Sequence, residues 1–161
     1  MGSPDSYDIR PVATEDHSDW LTLWQHYLVF YQASLPELTT TQLWQRLLDP
    51  VDAFRCFVAV DTNTQRLIGI VHFFAHPDTW ESKPVCYLQD LYVDEPARGG
   101  GVGAALIEAV LDESERCGWA VVYWHTMHDN TRARGLYDKL TGGTDGFVTY
   151  RLSRARRPAA T

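Results

Sequence analysis

The residues best suited to chemistry form a glycine-rich turn behind the apolar run of residues 91–93. Arg98 is followed by glycines at positions 99, 100, 101 and 103, and then by an amphipathic stretch. Glycines permit positive φ and let consecutive backbone amides converge on one anion. The N-terminus of a helix adds a partial positive charge, and Arg98 adds a full one. The pattern predicts a binding site for a phosphate or a pyrophosphate.

Two other phosphate-binding patterns are disfavoured by the residues around the same turn. Gly99, Gly101 and Ala104 satisfy the Gly-x-Gly-x-x-Ala spacing of dinucleotide-binding proteins. Those proteins place a carboxylate about 20 residues later, at the end of the next strand, to hold a ribose. Here the next strand ends in Tyr-Trp-His-Thr at residues 123–126, and no Gly-Lys-Ser/Thr follows the glycines. The sequence therefore argues against a dinucleotide site and against a P-loop.

The hydrophobic pattern predicts a mixed α/β domain that positions this turn. Strands are expected at residues 7–12, 55–61, 66–74, 85–93, 120–126 and 147–152. Helices are expected from Thr14 or Asp16 to about residue 34, from residues 39–41 to residue 48, at 102–117 and at 130–140. Gly118 is expected to close the third helix in the left-handed conformation. The order is strand, two helices, three strands, helix, strand, helix and strand.

Size, charge and cysteine content limit the class of protein. The 161 residues are 45% hydrophobic and 22% charged, which predicts one domain over residues 1–153 and a basic, disordered tail over 154–161. A net charge of −7 argues against nucleic acid as a partner and suits a cationic substrate. Three widely spaced cysteines favour a reducing compartment, and the histidines have no metal-ligand spacing. Without an apolar membrane span or a signal sequence, we expect a cytoplasmic protein with no metal and no membrane contact.

Two motifs together resemble the GNAT N-acetyltransferase superfamily. They are Arg98-x-x-Gly101-x-Gly103 behind Leu91-x-Val93, and Asn130-x-x-Ala133-x-x-Leu136-Tyr137 one strand later. Their separation and the predicted order of elements match across nearly the whole chain, and residues 87–93 are most similar to polyamine and histone-type acetyltransferases. The resemblance implies a three-layer α/β fold whose mixed, mostly antiparallel sheet is splayed between strands 4 and 5 and flanked by about four helices. It also implies acetyl-CoA as donor, CoA as product and a homodimer.

The resemblance further implies which residues bind acetyl-CoA. Backbone groups of Leu91, Tyr92 and Val93 are expected to bind the pantetheine arm and the acetyl carbonyl in the gap between the strands. The turn is expected to hold the pyrophosphate, and the second motif is expected to line the far side of the channel. The residues implied in these two places are Arg98, Gly99, Gly100, Gly101, Val102, Gly103, Ala104, Asn130, Arg132 and Ala133.

The resemblance places Tyr137 beside the thioester sulfur as a catalytic residue. Attack of an amine on a thioester expels a thiolate, and a phenol with a pKa of about 10 can hydrogen-bond to it or protonate it. The alternative is that Tyr137, four residues after Ala133, is a half-buried aromatic of the same helix face.

The identity of the residue that removes the proton of the amine is left undecided by the sequence. Polyamine acetyltransferases place a glutamate where this chain has Gln89, and an amide does not accept a proton at neutral pH. We place Asp90 first as the catalytic residue, with Glu37, Glu81 and His125 as alternatives that act directly or through water. Direct binding of the neutral amine is a further alternative.

Aromatic and acidic residues on the acceptor side suit a cationic amine through cation–π contacts and charge pairing. The substrate-binding residues expected are Tyr27, Tyr31, Glu37, Glu81 and Gln89. The alternative for the aromatic residues is a core stripe of the first helix. The sequence thus predicts an N-acetyltransferase that acts by direct attack in a ternary complex on a primary amine, be it a small polyamine, an amino compound or a protein lysine. The alternative function is a non-catalytic acyl-CoA sensor on the same fold.

Overall fold

The elements follow the predicted order as far as the last helix. The computed structural model describes residues 6–154. The strands are β1 (Tyr7–Pro11), β2 (Arg55–Asp61), β3 (Leu67–His76), β4 (Val85–Val93) and β5 (Val122–Tyr123). The helices are α1 (His17–Phe30), α2 (Glu37–Leu48), α3 (Val102–Cys117) and α4 (Thr131–Thr141), with 3-10 turns at Thr14–Asp16 and Glu95–Ala97.

The chain divides into two compact units, Met1–His125 and Thr126–Thr161. The first unit contains the five strands and α1 to α3, and the second contains α4. The predicted single domain over residues 1–153 stays a prediction, and residues 155–161 of the predicted tail lie outside the described residues. No helix of the described part of the chain has the length and apolar character needed to cross a membrane.

The sheet of the first unit is mixed and mostly antiparallel, as predicted. Its order is β1-β2-β3-β4-β5, with antiparallel neighbours except for the parallel pair β4–β5. That parallel ladder consists of Cys86 opposite Val122 and Tyr87 opposite Tyr123. β4 then continues for six more residues, 88–93, beyond the last residue paired with β5. The expected splay between strands 4 and 5 is confirmed.

The two faces of the sheet carry different helices. Trp20, Leu23 and Trp24 of α1 pack with Leu47 of α2 on the face that includes Ile70. Gly69 precedes Ile70. A Cβ at Gly69 would therefore point to the opposite face of the sheet, because the side chains of successive strand residues alternate between the two faces.

Gly69 allows α3 to lie close to β3 on that opposite face. A Cβ at Gly69 would lie 3.0 Å from Leu106 Cδ1 and 3.1 Å from Val102 Cγ1, both on α3. A larger residue at position 69 would therefore push α3 away from the sheet.

Helix ends differ from the prediction where the local backbone turns. α1 ends at Phe30 and not near residue 34, because Gln32 adopts a left-handed φ of 51°. Asp16 occupies the predicted N-cap position of α1, but its side chain makes no capping bond because its carboxylate accepts hydrogen bonds from Arg10 and from the Ala13 N–H. Gly118 does close α3 in the left-handed conformation, with a φ of 70°.

The predicted sixth strand at residues 147–152 is wrong. In the described chain these residues form neither strand nor helix, and Phe147, Val148 and Tyr150 are exposed. Aromatic and β-branched residues favour a pleated, half-buried surface, but a strand exists only where a neighbouring strand pairs with its backbone. The apolar pattern alone therefore does not make this segment a strand.

Candidate active site

The glycine turn presents free backbone amides at the start of α3. Gly99 and Gly101 have φ values of 87° and 82°, in the region that favours glycine. Gly101 is the N-cap of α3, no side chain caps the helix there, and no acidic residue lies in its first turn. A Cβ at Gly101 would lie 3.4 Å from the Tyr7 hydroxyl oxygen, an ordinary contact, so the backbone conformation is what demands glycine. The first amides of α3 are therefore available to an anion.

Arg98 adds a fixed positive charge to this turn. Its Nε donates a hydrogen bond to the Val93 carbonyl at 2.9 Å, and its Cζ lies 5.4 Å from the centre of the Tyr92 ring. Burial raises the pKa of Tyr92, so the phenol under the guanidinium stays neutral. Backbone amides with one guanidinium form the donor set that a pyrophosphate requires. The structure thus brings together the turn residues expected to bind the cofactor, from Arg98 to Ala104.

The open edge of β4 leads from the end of the β4–β5 ladder to this turn. The expected pantetheine residues Leu91, Tyr92 and Val93 lie on it, and the Tyr92 side chain is buried in the core. A β-bulge marks its start, because His72 pairs with Asp90 while Phe73 pairs with Leu88, which leaves Gln89 as the extra residue. An edge with backbone N–H and C=O groups suits a narrow chain that itself carries amides, as pantetheine does.

Asp90 is held in a hydrogen-bonded group that we call the Asp90 cluster: Trp20, Tyr27, His72 and Asp90. The Tyr27 hydroxyl donates to Asp90 Oδ1 at 2.7 Å, and His72 Nδ1 lies 3.0 Å from Asp90 Oδ2. The Trp20 indole N–H donates to His72 Nε2 at 3.0 Å. Trp20 and His72 are 0% and 1% exposed, whereas the Asp90 side chain keeps 11%. The Trp20–His72 end of the cluster is thus closed to water, whereas Tyr27 and Asp90 are partly exposed.

The contacts within the Asp90 cluster hold its carboxylate in place. Burial raises the pKa of Tyr27 far above its usual value, and the neighbouring Asp90 raises it further, so the phenol remains a donor. Both oxygens of Asp90 are thus held by contacts with Tyr27 and His72, which fixes the orientation of the carboxylate. A carboxylate without a cationic partner in the cluster suits an ammonium group of a ligand.

The structure brings together three of the five expected substrate residues. The Tyr31 ring lies 4.9 Å from that of Tyr27, and Gln89 is exposed in the bulge next to Asp90. Glu37 begins α2 and Glu81 lies in the loop after β3, both exposed. In the described part of the chain neither glutamate side chain hydrogen-bonds to the Asp90 cluster.

A second polar group lies where the β4–β5 ladder ends. His125 Nδ1 lies 3.2 Å from the Tyr87 hydroxyl, and His76 Nε2 lies 2.8 Å from the Tyr123 hydroxyl. The rings of Tyr87 and Tyr123, the last pair of the ladder, are 5.0 Å apart. His125 is exposed, two residues past that pair. The exposed imidazole thus lies at the mouth of the gap between β4 and β5.

The second unit carries the other expected motif at the start of α4. The Asn130 side chain accepts a bond from the Ala133 N–H at 3.5 Å and donates to Thr126 Oγ1 at 3.1 Å, so Asn130 is the N-cap. Arg132 is exposed and Ala133 half-buried in the first turn. Tyr137 follows one turn later on the same helix and is half-buried. The expected cofactor residues of this motif and Tyr137 thus share one short helix.

Sequence reasoning missed the role of His72 and Trp20. The available signal was a histidine within the apolar run of residues 70–74, which strand alternation places on the same face as Ile70. The partner, Asp90, lies 18 positions away on another strand. The pairing register that joins them is not contained in one sequence.

Comparison with known proteins finds acetyltransferases by sequence. Residues 20–142 match the acetyltransferase (GNAT) family. The D-amino-acid N-acetyltransferase HPA3 of Saccharomyces cerevisiae is 36% identical over 137 residues, which cover 85% of each chain. The L-ornithine N5-acetyltransferase NATA1 of Arabidopsis thaliana is 29% identical over 98 residues, 61% of this chain and 42% of the plant protein.

Solved structures show the same fold. AAC(6')-Iy in complex with a CoA-containing bisubstrate analogue superposes with a TM-score of 0.79 at 20% identity, over 92% of this chain and 98% of that one. An aminoglycoside acetyltransferase from an uncultured soil metagenomic sample, in complex with sisomicin, gives 0.74 at 19% identity, over 92% and 97% of the two chains. With the family match and the yeast relative, these findings show that the chain belongs to the GNAT acetyltransferase family.

Proposed function

We propose that this N-acetyltransferase acetylates a primary amine of a small cationic molecule by direct attack in a ternary complex. Acetyl-CoA is the donor used by its family. The observation that carries the proposal is the position of Asp90. Its carboxylate lies on the open stretch of β4 that leads to the glycine turn, so one strand serves both the donor and the acceptor. The homodimer and the cytoplasmic location belong to the same proposal.

The donor side is served by backbone groups and two side chains. When bound, acetyl-CoA supplies a thioester whose acyl carbon is open to an amine and whose sulfur leaves as a thiolate. The amides of residues 99–104 and the Arg98 guanidinium bind the pyrophosphate, and the edge of residues 91–93 orients the acyl arm. Tyr137 gives its phenolic proton to the departing sulfur.

The acceptor side is served by the Asp90 cluster and Tyr31. The carboxylate of Asp90 binds an ammonium group, and the aromatic rings of Tyr27 and Tyr31 provide cation–π surface. A carboxylate that is held at both oxygens is best suited to bind an ammonium group that does not itself react. A compound with two amino groups therefore fits better than a simple monoamine. The relatives named above act on D-amino acids and on ornithine. Small amino compounds are therefore the first acceptors to test.

His125 is better placed than Asp90 to take the proton of the reacting amine. Both oxygens of Asp90 are already acceptors, whereas His125 is exposed and touches only the hydroxyl of Tyr87 through Nδ1 among its described hydrogen bonds. The amine nitrogen forms the new C–N bond as the C–S bond breaks. Its proton passes to the imidazole, and the thiolate takes the proton of Tyr137.

The test is a turnover assay that measures CoA released from acetyl-CoA. The panel contains D- and L-amino acids, ornithine, diamines of increasing length and monoamines of matched length. We expect release with amino compounds, and a lower KM for a diamine than for its matched monoamine. Tight binding of acetyl-CoA without turnover of any amine would indicate the acyl-CoA sensor instead. Sedimentation of the same sample measures the oligomeric state.

A further inference from the structure

The hydrogen-bonding chemistry of Trp20 and Asp90 determines which ring nitrogen of His72 carries a proton. An indole nitrogen only donates hydrogen bonds, so the contact of Trp20 Nε1 with His72 Nε2 at 3.0 Å makes Nε2 an acceptor. The proton of a neutral His72 is then on Nδ1 and points at Asp90 Oδ2, 3.0 Å away. Because Trp20 and His72 are fully buried, water does not compete for either contact. The geometry selects one tautomer of His72.

Three elements pack titratable or aromatic groups against His72: β2, α1 and β4. On β2 the residue opposite His72 is Cys56, and burial raises the pKa of its thiol, which stays protonated. On α1 the Trp24 ring lies 5.4 Å from the imidazole, and the Tyr27 phenol stays protonated because burial raises its pKa. On β4 the neighbour is Asp90. Among these described groups only Asp90 bears a charge at neutral pH.

We propose that Trp20 and His72 are positioning residues of the transferase, a role that rests on the proposed function. Trp20 occupies Nε2 of His72 and so prevents the imidazole from taking a second proton. The neutral imidazole orients Asp90 through Nδ1–H without cancelling its charge. The carboxylate of Asp90 therefore remains available to pair with the ammonium of the acceptor. Without the indole N–H, His72 would become an imidazolium and pair with Asp90 in place of the acceptor.

The first test reads the His72 tautomer directly, without any substrate. Nitrogen-15 NMR of the imidazole side chains distinguishes a protonated from an unprotonated ring nitrogen. We expect His72 to keep the Nδ1–H form from about pH 5.5 to about pH 8.5, on both sides of the ordinary imidazole pKa of about 6.5. A wild-type His72 that carries its proton on Nε2, or that becomes doubly protonated in this range, overturns the proposal.

The second test compares Trp20→Phe with Trp24→Phe. Each substitution removes one indole N–H from the same face of α1, but the Trp24 N–H donates to Thr40 Oγ1 at 3.2 Å and not to His72. In Trp20→Phe we expect the KM for a cationic amine to rise by about tenfold or more as the pH falls through about 6.5, with the KM for acetyl-CoA unchanged. In Trp24→Phe and in the wild type we expect no such rise. Equal pH profiles for the two variants overturn the proposal.

A third variant covers the case in which Trp20→Phe fails to fold. His72→Asn keeps an N–H donor near the position of Nδ1 but does not titrate, so we expect it to keep the KM for the amine within about threefold at every pH. His72→Leu removes the donor, and its KM is expected to rise by about tenfold. Equal KM values for the two variants overturn the proposal. Failure of the proposed function is distinct, because the wild type would then release no CoA with any amine.

Discussion

The hydroxyl of Tyr27 donates a 2.7 Å hydrogen bond to Oδ1 of Asp90, a residue 63 positions later in the chain. The bond ties the last turn of α1 to the bulged part of β4. Burial raises the pKa of Tyr27 far above its usual value, so the phenol stays protonated and remains a donor at neutral pH. One wall of the proposed acceptor side is thus set by a contact between a helix and a strand.

Replacing Tyr27 by Phe should weaken binding of the acceptor. The substitution removes one of the two donors of Asp90 and keeps the ring that packs against Tyr31. A hydrogen bond to a charged group is worth about 1.5–3 kcal/mol. Because the carboxylate loses its orientation, we expect the KM for a cationic amine to rise by about tenfold in steady-state kinetics. An unchanged KM, with folding confirmed by urea denaturation, would show that Asp90 does not bind the acceptor amine.

Acetyl-CoA and CoA should raise the melting temperature, whereas NAD and ATP at equal concentration should not. A ligand that binds only the native state stabilises it by about 2.7 kcal/mol at a hundredfold excess over its Kd. In the proposed complex the free amides of the turn and Arg98 provide the pyrophosphate contacts. The measurement is a thermal unfolding scan with each compound. An NAD shift equal to that of CoA would contradict the assignment of the ligand.

Gly101→Asp should abolish stabilisation by CoA, with Gly118→Asp as the matched control. Both glycines lie at an end of α3 with left-handed φ values, 82° and 70°. Each substitution is expected to cost about 1–2 kcal/mol of backbone strain. Only the first places a negative charge where the pyrophosphate binds, so only the first should remove the CoA shift in a thermal scan. Loss of the shift in both variants would point to a general loss of stability.

Tyr137→Phe should reduce kcat and leave binding of acetyl-CoA nearly unchanged. The substitution removes the phenolic oxygen and keeps the ring. Assistance by a general acid is worth about 10²- to 10⁴-fold in rate, and the interaction strengthens in the transition state. Steady-state kinetics with one accepted amine and a CoA titration measure the two effects. A variant that keeps more than about half of the wild-type kcat, with chemistry rate-limiting, would assign Tyr137 to packing.

Asp16→Asn should destabilise the fold at neutral pH but not in strong acid. Burial alone would raise the pKa of Asp16, but hydrogen bonds from Arg10 and from the Ala13 N–H outweigh it and lower the pKa below 3.8. A lowered pKa stabilises the native state above about pH 4–5, and this contribution is lost as the pH falls through the native value. We expect the variant to lose about 1–3 kcal/mol in urea unfolding at pH 7. A loss of the same size at about pH 2 would assign the effect to packing.

The sequence by itself determined the elements that carry the proposed donor side. β2, β4 and α3 have the bounds that local patterns predicted, because glycines with left-handed φ precede and follow α3 and the strands end in polar turns. The site at the turn depends on residues that are adjacent in the chain, from Arg98 to Ala104. Local geometry therefore carries most of its chemistry.

Only the tertiary structure decided the acceptor side and the extent of the sheet. Gln89 becomes a bulge residue and His72 meets Asp90 because β3 and β4 pair in one register and not in another. Trp20 and Tyr27 reach that pair only because α1 packs on the same face of the sheet. The segment at residues 147–152 has the composition of a strand but forms none in the described chain. Pairing and packing join residues that are distant in sequence, so their outcome is set by the whole fold and not by a local pattern.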